Sequence, residues 1–161
     1  MKSFTSAILL LAGIASANPV SQAEPRQTTP GPYQITEFFA SKTHNSGYCY
    51  FEFNVTAPSL SEPVSCRANN DAGFSGAHWL AYIYEGLSQC THPAVSFEFF
   101  QERTFDAAGT PGSLNVTIDG VKGSYTIPAS QIVARENGPS PFDDDVSYQG
   151  PRNFEIVDFS G

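Results

Sequence analysis

Three histidines, sixteen acidic residues and three cysteines are the chain's stock of reactive side chains. His44, His78 and His92 stand 34 and 14 residues apart, without the short fixed spacing that brings two ligands onto one metal. They are expected to be loop or half-buried histidines, with no metal. Asp143-Asp144-Asp145 lacks the alternating oxygen donors and closing glutamate of a calcium loop, and follows Pro139 and Pro141. A solvated acidic loop is expected there. Glu98 with Glu102, or Glu37 with Glu52, would suit glycoside hydrolysis only if a cleft held the two carboxylates a set distance apart. Sequence spacing does not establish that. There is no nucleophile elbow and no nucleotide loop, and no cysteine lies in a catalytic signature. No catalytic residue and no cofactor is assigned.

The elements that would position any site are short strands. In the stretch from Gly47 to Cys66, Cys49, Phe51, Phe53 and Val55 fall on one face, with Tyr48, Tyr50, Glu52 and Asn54 on the other. That period of two marks a half-buried strand. Upstream, Tyr33, Ile35, Glu37 and Phe39 alternate with Gln34, Thr36, Phe38 and Ala40. Residues 78–84 are apolar on both faces, which fits a strand covered on both sides or a short helix, and their three aromatics and Ile83 favour the strand. Val95, Phe97 and Phe99 make a further strand, as do Leu114, Val116 and Ile118. Asp119-Gly120 is a hairpin signal. Short strands at 130–135 and 153–159 complete about nine, with turn signals roughly every ten residues. The expected fold is all-β, a single antiparallel barrel or sandwich over residues 33–161.

The outward faces carry two N-glycosylation acceptors, Asn54-Val55-Thr56 and Asn115-Val116-Thr117. Lys2, the apolar run Ala7–Ile14 and Ala15-Ser16-Ala17 form a secretory signal with a cleavage site after Ala17. That run is too short for a bilayer, which needs about 20 residues. Residues 18–32 hold four prolines without apolar period and are expected to be a disordered leader or propeptide. Loss of residues 1–17 moves the formal charge from −8 to −9 through Lys2. Such a balance, with scattered basic residues, argues against nucleic acid or an anionic membrane as partner.

In an oxidising compartment three cysteines allow one internal bridge and leave one thiol. The spare is either a buried small hydrophobe or an intermolecular link. Its alternation with Phe51 and Phe53 favours burial for Cys49, so a dimer through Cys49 is open but not favoured. Tyr48, Tyr50, Trp79, Tyr82 and Tyr84 are candidates for an aromatic binding platform, or else core.

Several of these stretches resemble a known family. Ile35-Thr36-Glu37-Phe38-Phe39, Phe51-Glu52-Phe53-Asn54, Cys66-Arg67-Ala68, the surroundings of Trp79 before Cys90, and Ser96-Phe97-Glu98-Phe99 are similar to the fungal secreted proteins typified by the Alternaria-type major allergen. The likeness covers about residues 33–101. It implies a small β-barrel found in allergens and plant-defence elicitors, with a Cys66–Cys90 disulfide. It also implies a non-enzymatic role, binding a host protein or small ligand. The chain departs from the family in lacking its C-terminal cysteine pair and in having Cys49, so the family's covalent dimer does not carry over. A secreted carbohydrate-binding module or carbohydrate-active enzyme is the alternative.

Overall fold

The computed structural model describes residues 31–74, 76–103, 109–135, 137–138 and 144–160. The signal, most of the leader, Asp143 and parts of the loops at 106–112 and 136–145 lie outside the described residues. The described chain is all-β. Its strands are β1 (Tyr33–Lys42), β2 (Tyr48–Thr56), β3 (Val64–Asp71), β4 (Gln89–Cys90), β5 (Val95–Gln101), β6 (Gly112–Ile118), β7 (Val121–Ile127), β8 (Ile132–Arg135), β9 (Asp145–Tyr148), β10 (Phe154–Ile156) and β11 (Asp158–Ser160).

Two antiparallel sheets result. The larger runs β4-β3-β2-β1-β9-β8, with β10 also pairing β1, and has seven strands; the smaller runs β11-β7-β6-β5. Among the described residues neither sheet closes on itself, so the architecture is a sandwich and the barrel expectation is set aside. Inward rings join the layers: Phe51 meets Phe99 at 4.8 Å, and Phe53 meets Phe97 edge-on at 4.9 Å. Such pairs interlock the inner faces beyond simple area burial. The chain then changes sheet between β10 and β11. Gly123 permits that crossing, because a Cβ there would stand 2.7 Å from Ile156 Cγ2.

The 119–120 hairpin forms as expected. Ile118 pairs with Val121, and Asp119 and Gly120 have φ of 51° and 81°, the left-handed pair that a two-residue turn requires.

Three expectations are corrected. In β1 the alternation does not run through: the register with β2 shifts between Thr36 and Phe39, and Glu37 has φ 58°. This bulge inserts one residue. Tyr33 and Ile35 therefore point inward, followed by Phe38, Ala40 and Lys42, and Phe39 faces solvent. The bulge is held from far along the chain, with Glu37 N–H donating to Asn153 Oδ1 at 3.1 Å and Phe38 N–H to the Arg152 carbonyl at 2.9 Å. A non-glycine residue in this region is strained by roughly 1–2 kcal/mol.

Residues 78–84 form no strand. Ile83 alone makes a bridge, to Phe99. Ala77, Trp79, Leu80, Ala81 and Ile83 are all buried, so their backbone groups need partners away from water. Side chains supply several. Lys42 Nζ donates to the Ala77 carbonyl at 2.7 Å, Leu80 N–H donates to Gln101 Oε1 at 2.9 Å, and Asn70 Nδ2 donates to the Tyr82 carbonyl at 2.7 Å. This explains why a lysine and a glutamine lie in the core. Burial pulls the Lys42 ammonium below its ordinary pKa, against the opposing pull of Cys49, Asp144 and Asp145.

The acidic trio is not a solvated loop in its described part. Asp144 is buried with its carboxylate 2.7 Å from His78 Nε2. Asp145 begins β9, an unexpected strand, and its carboxylate meets His44 and Asn137.

Candidate recognition face

Outward positions of the larger sheet assemble in rows set by strand register. Phe39 opposes Glu52, Glu52 opposes Arg67, and Arg67 opposes Gln89. One row thus crosses β1 to β4, roughly 14 Å at the usual strand spacing. Beside it lie Ser41, Tyr50 and Asn69 on one flank, and Thr36, Asn54 and Ser65 on the other. Phe39 and Tyr50 are 48% and 49% exposed. Arg67 Nε donates to Gln89 Oε1 at 3.3 Å, linking the two along the row.

Three adjoining depressions open on this face, and Glu52 borders all of them. The largest, about 510 Å³, is walled by Phe39, Tyr50, Glu52, Arg67, Asn69 and Gln89. A second, about 370 Å³, lies between Glu37, Phe39, Glu52, Asn54 and Arg152. Both volumes fall in the range of small-ligand sites. Flat rings beside a guanidinium, amides and carboxylates can stack on a ligand and fix its orientation by hydrogen bonds.

The sequence-derived candidates are distributed as follows. Tyr48 and Tyr50 are exposed on this face. Trp79 is not part of a platform: it is 3% exposed, its indole N–H donates to the Ala72 carbonyl at 3.2 Å, and Phe74 packs on it. Tyr82 belongs to the opposite side, where it meets Tyr84 and Phe100 outside the smaller sheet. The five aromatics therefore do not form one platform. Asn54 is half-buried on the larger sheet and Asn115 on the smaller, where Asn115 Oδ1 accepts from Ser124 Oγ at 2.8 Å. Glu37 and Glu52 do share a depression. Glu98 instead pairs with Lys122 at 2.8 Å.

Phe39 was hidden from sequence reasoning by the bulge, whose only local trace is the adjacent pair Phe38-Phe39. Arg67 was hidden too, because the turn-rich composition of residues 67–76 reads as loop, whereas β3 carries Arg67 outward between the inward Cys66 and Ala68.

The three histidines are apart in role: two face aspartates, and His92 Nδ1 accepts from the Ala94 N–H at 3.3 Å. Among the described residues, no group of three or more His, Cys, Asp or Glu could hold a metal ion. Cys66 and Cys90 are disulfide-bonded across β3 and β4. Cys49 is free and buried, with the Ala81 N–H donating to its sulfur at 3.2 Å. Burial pushes the thiol up to about 11, against the pull of that N–H and of Lys42, so it is protonated and shielded at neutral pH. An intermolecular disulfide through Cys49 would require the core to open. Among the described residues, no helix is long and apolar enough to cross a membrane.

Comparisons with protein-family models, curated proteins and solved structures return no match for this chain.

Proposed function

We propose that this chain is an exported recognition protein of the allergen- and elicitor-like kind, without catalytic residues, that binds a host protein or small ligand on the outer face of its larger sheet. The observation carrying this reading is the row Phe39, Glu52, Arg67, Gln89 with Tyr50 beside it, bordering the 510 Å³ depression. Aromatic and arginine side chains are those most often energetically dominant in binding. The disulfide supports export to an oxidising compartment, as does the signal-like stretch at residues 1–17. The row offers stacking surface and hydrogen-bonding groups, which supports recognition as the role.

A second reading has one observation in its favour. Glu37 and Glu52 border one depression with Arg152, which suits the hydroxyls of a sugar and keeps a carbohydrate-binding role alive.

The test is capture from plant apoplastic fluid on immobilised protein, with Tyr50→Ala/Arg67→Ala as comparison. Binding to the native protein should fall by at least tenfold in the variant, the effect of losing about 1.4 kcal/mol. Equal capture by both proteins would remove this face as the binding surface. If only soluble cello- or chito-oligosaccharides compete for it, the sugar reading replaces the protein partner.

A further inference from the structure

We propose that Asn54 carries an N-linked glycan, and that the first sugars of that glycan lie in the depression between Glu37, Phe39, Glu52 and Arg152. The acceptor triplet Asn54-Val55-Thr56 ends β2, and the side chain of Asn54 forms part of the depression's wall. Its Nδ2, the atom that would bear the sugar, donates to Glu37 Oε2 at 2.9 Å. The attachment atom therefore already sits at the rim of a space of about 370 Å³. The groups around it match a sugar's two kinds of surface. Two carboxylates and a guanidinium meet hydroxyls and an N-acetyl amide, and the exposed Phe39 ring meets the apolar C–H face.

The bulge in β1 makes this arrangement. Glu37 adopts φ 58° and is tied to Asn153, which places its carboxylate against Asn54 instead of continuing the alternation. Bulges re-aim side chains in this way beside functional sites. The other acceptor contrasts with it. Asn115 lies between Glu98 and Ser124 in its row, with no aromatic ring among those partners.

The chemistry balances with a lipid-pyrophosphate oligosaccharide as donor. The Nδ2–C1 bond forms, the bond from C1 to the phosphate oxygen breaks, one amide proton is released, and lipid pyrophosphate leaves. One N–H remains on Nδ2 as a donor beside Glu37. A glycan seated here covers the Phe39 ring from one side and leaves the 510 Å³ depression open across the shared Phe39–Glu52 wall. It shares Phe39 and Glu52 with the recognition row, and the two readings are separated by their tests, since Tyr50 and Arg67 border only the larger depression of the two.

The experiment uses the full chain secreted from yeast and trimmed enzymatically to a single N-acetylglucosamine. The unglycosylated reference at this site is Thr56→Val, which removes the acceptor triplet but keeps Asn54 and its bond to Glu37. Peptide mass mapping should find Asn54 occupied. The trimmed sugar should raise Tm by about 3 °C over the reference, a shift of the size that about 1 kcal/mol produces. That rise should vanish in a Phe39→Ala background, which removes a half-exposed ring. Nuclear Overhauser contacts should join the N-acetyl methyl to the Phe39 ring. An unoccupied Asn54 overturns the proposal. So does an equal rise with and without Phe39, or an occupied site lacking those contacts.

Discussion

Replacing Phe97 with alanine is expected to destabilise the protein by about 3–5 kcal/mol. Phe97 has no solvent exposure and its ring sits edge-on to Phe53 from the opposite sheet. Truncation leaves a void where the two layers meet, and neither sheet can move in to fill it without breaking its own ladder. Phe100, three positions on, is 54% exposed. Its replacement removes only a ring contact with Tyr82 and is expected to change stability by less than about 1 kcal/mol. Urea unfolding of the two variants checks the contrast. Equal losses would mean that β5 does not present alternate residues to core and solvent.

Removing the cross-link by Cys66→Ala with Cys90→Ala should cost about 3 kcal/mol. The bridge spans 24 residues, and a loop of that size loses about that much unfolded-state freedom in the chain-entropy picture. A fall in Tm of about 10 °C follows for a domain of this size. The disulfide holds the two-residue β4 against β3, and with it the Gln89 end of the recognition row. In the native protein, an alkylating reagent should label no cysteine until the chain unfolds, and then Cys49 alone. An unchanged Tm would show that the bridge contributes nothing to the sandwich. Rapid native labelling would contradict the burial of Cys49.

The physics behind what the sequence revealed, and what it hid, is visible in particular residues. Cys49, Phe51, Phe53 and Val55 were readable as an inner face because β2 keeps an unbroken register with β3, and the extra residue of the bulge lies in β1. The Asp119-Gly120 turn was readable because its geometry depends on those two residues alone. Phe39 was not, because the phase of β1 is reset by contacts from Arg152 and Asn153, more than a hundred positions away. Residues 78–84 misled for a related reason. Their composition is that of a covered strand, but their backbone is satisfied by Lys42, Asn70 and Gln101, and no local pattern encodes those partners. Asp144 looked solvated beside two prolines until His78 met it. Of the recognition row, Glu52 alone followed from alternation, whereas Arg67 and the alignment with Phe39 and Gln89 needed the register of four strands.

The measurement that bears most directly on the recognition face is site-specific photocrosslinking in plant apoplastic fluid. A benzoyl-phenylalanine probe would replace Tyr50 in one protein and Phe100 in another. These positions lie on the outer faces of opposite sheets. Adducts formed from position 50, absent from position 100 and suppressed by Arg67→Ala, are the predicted result. Adducts from position 100 alone would contradict it and move recognition to the Tyr82, Tyr84 and Phe100 surface.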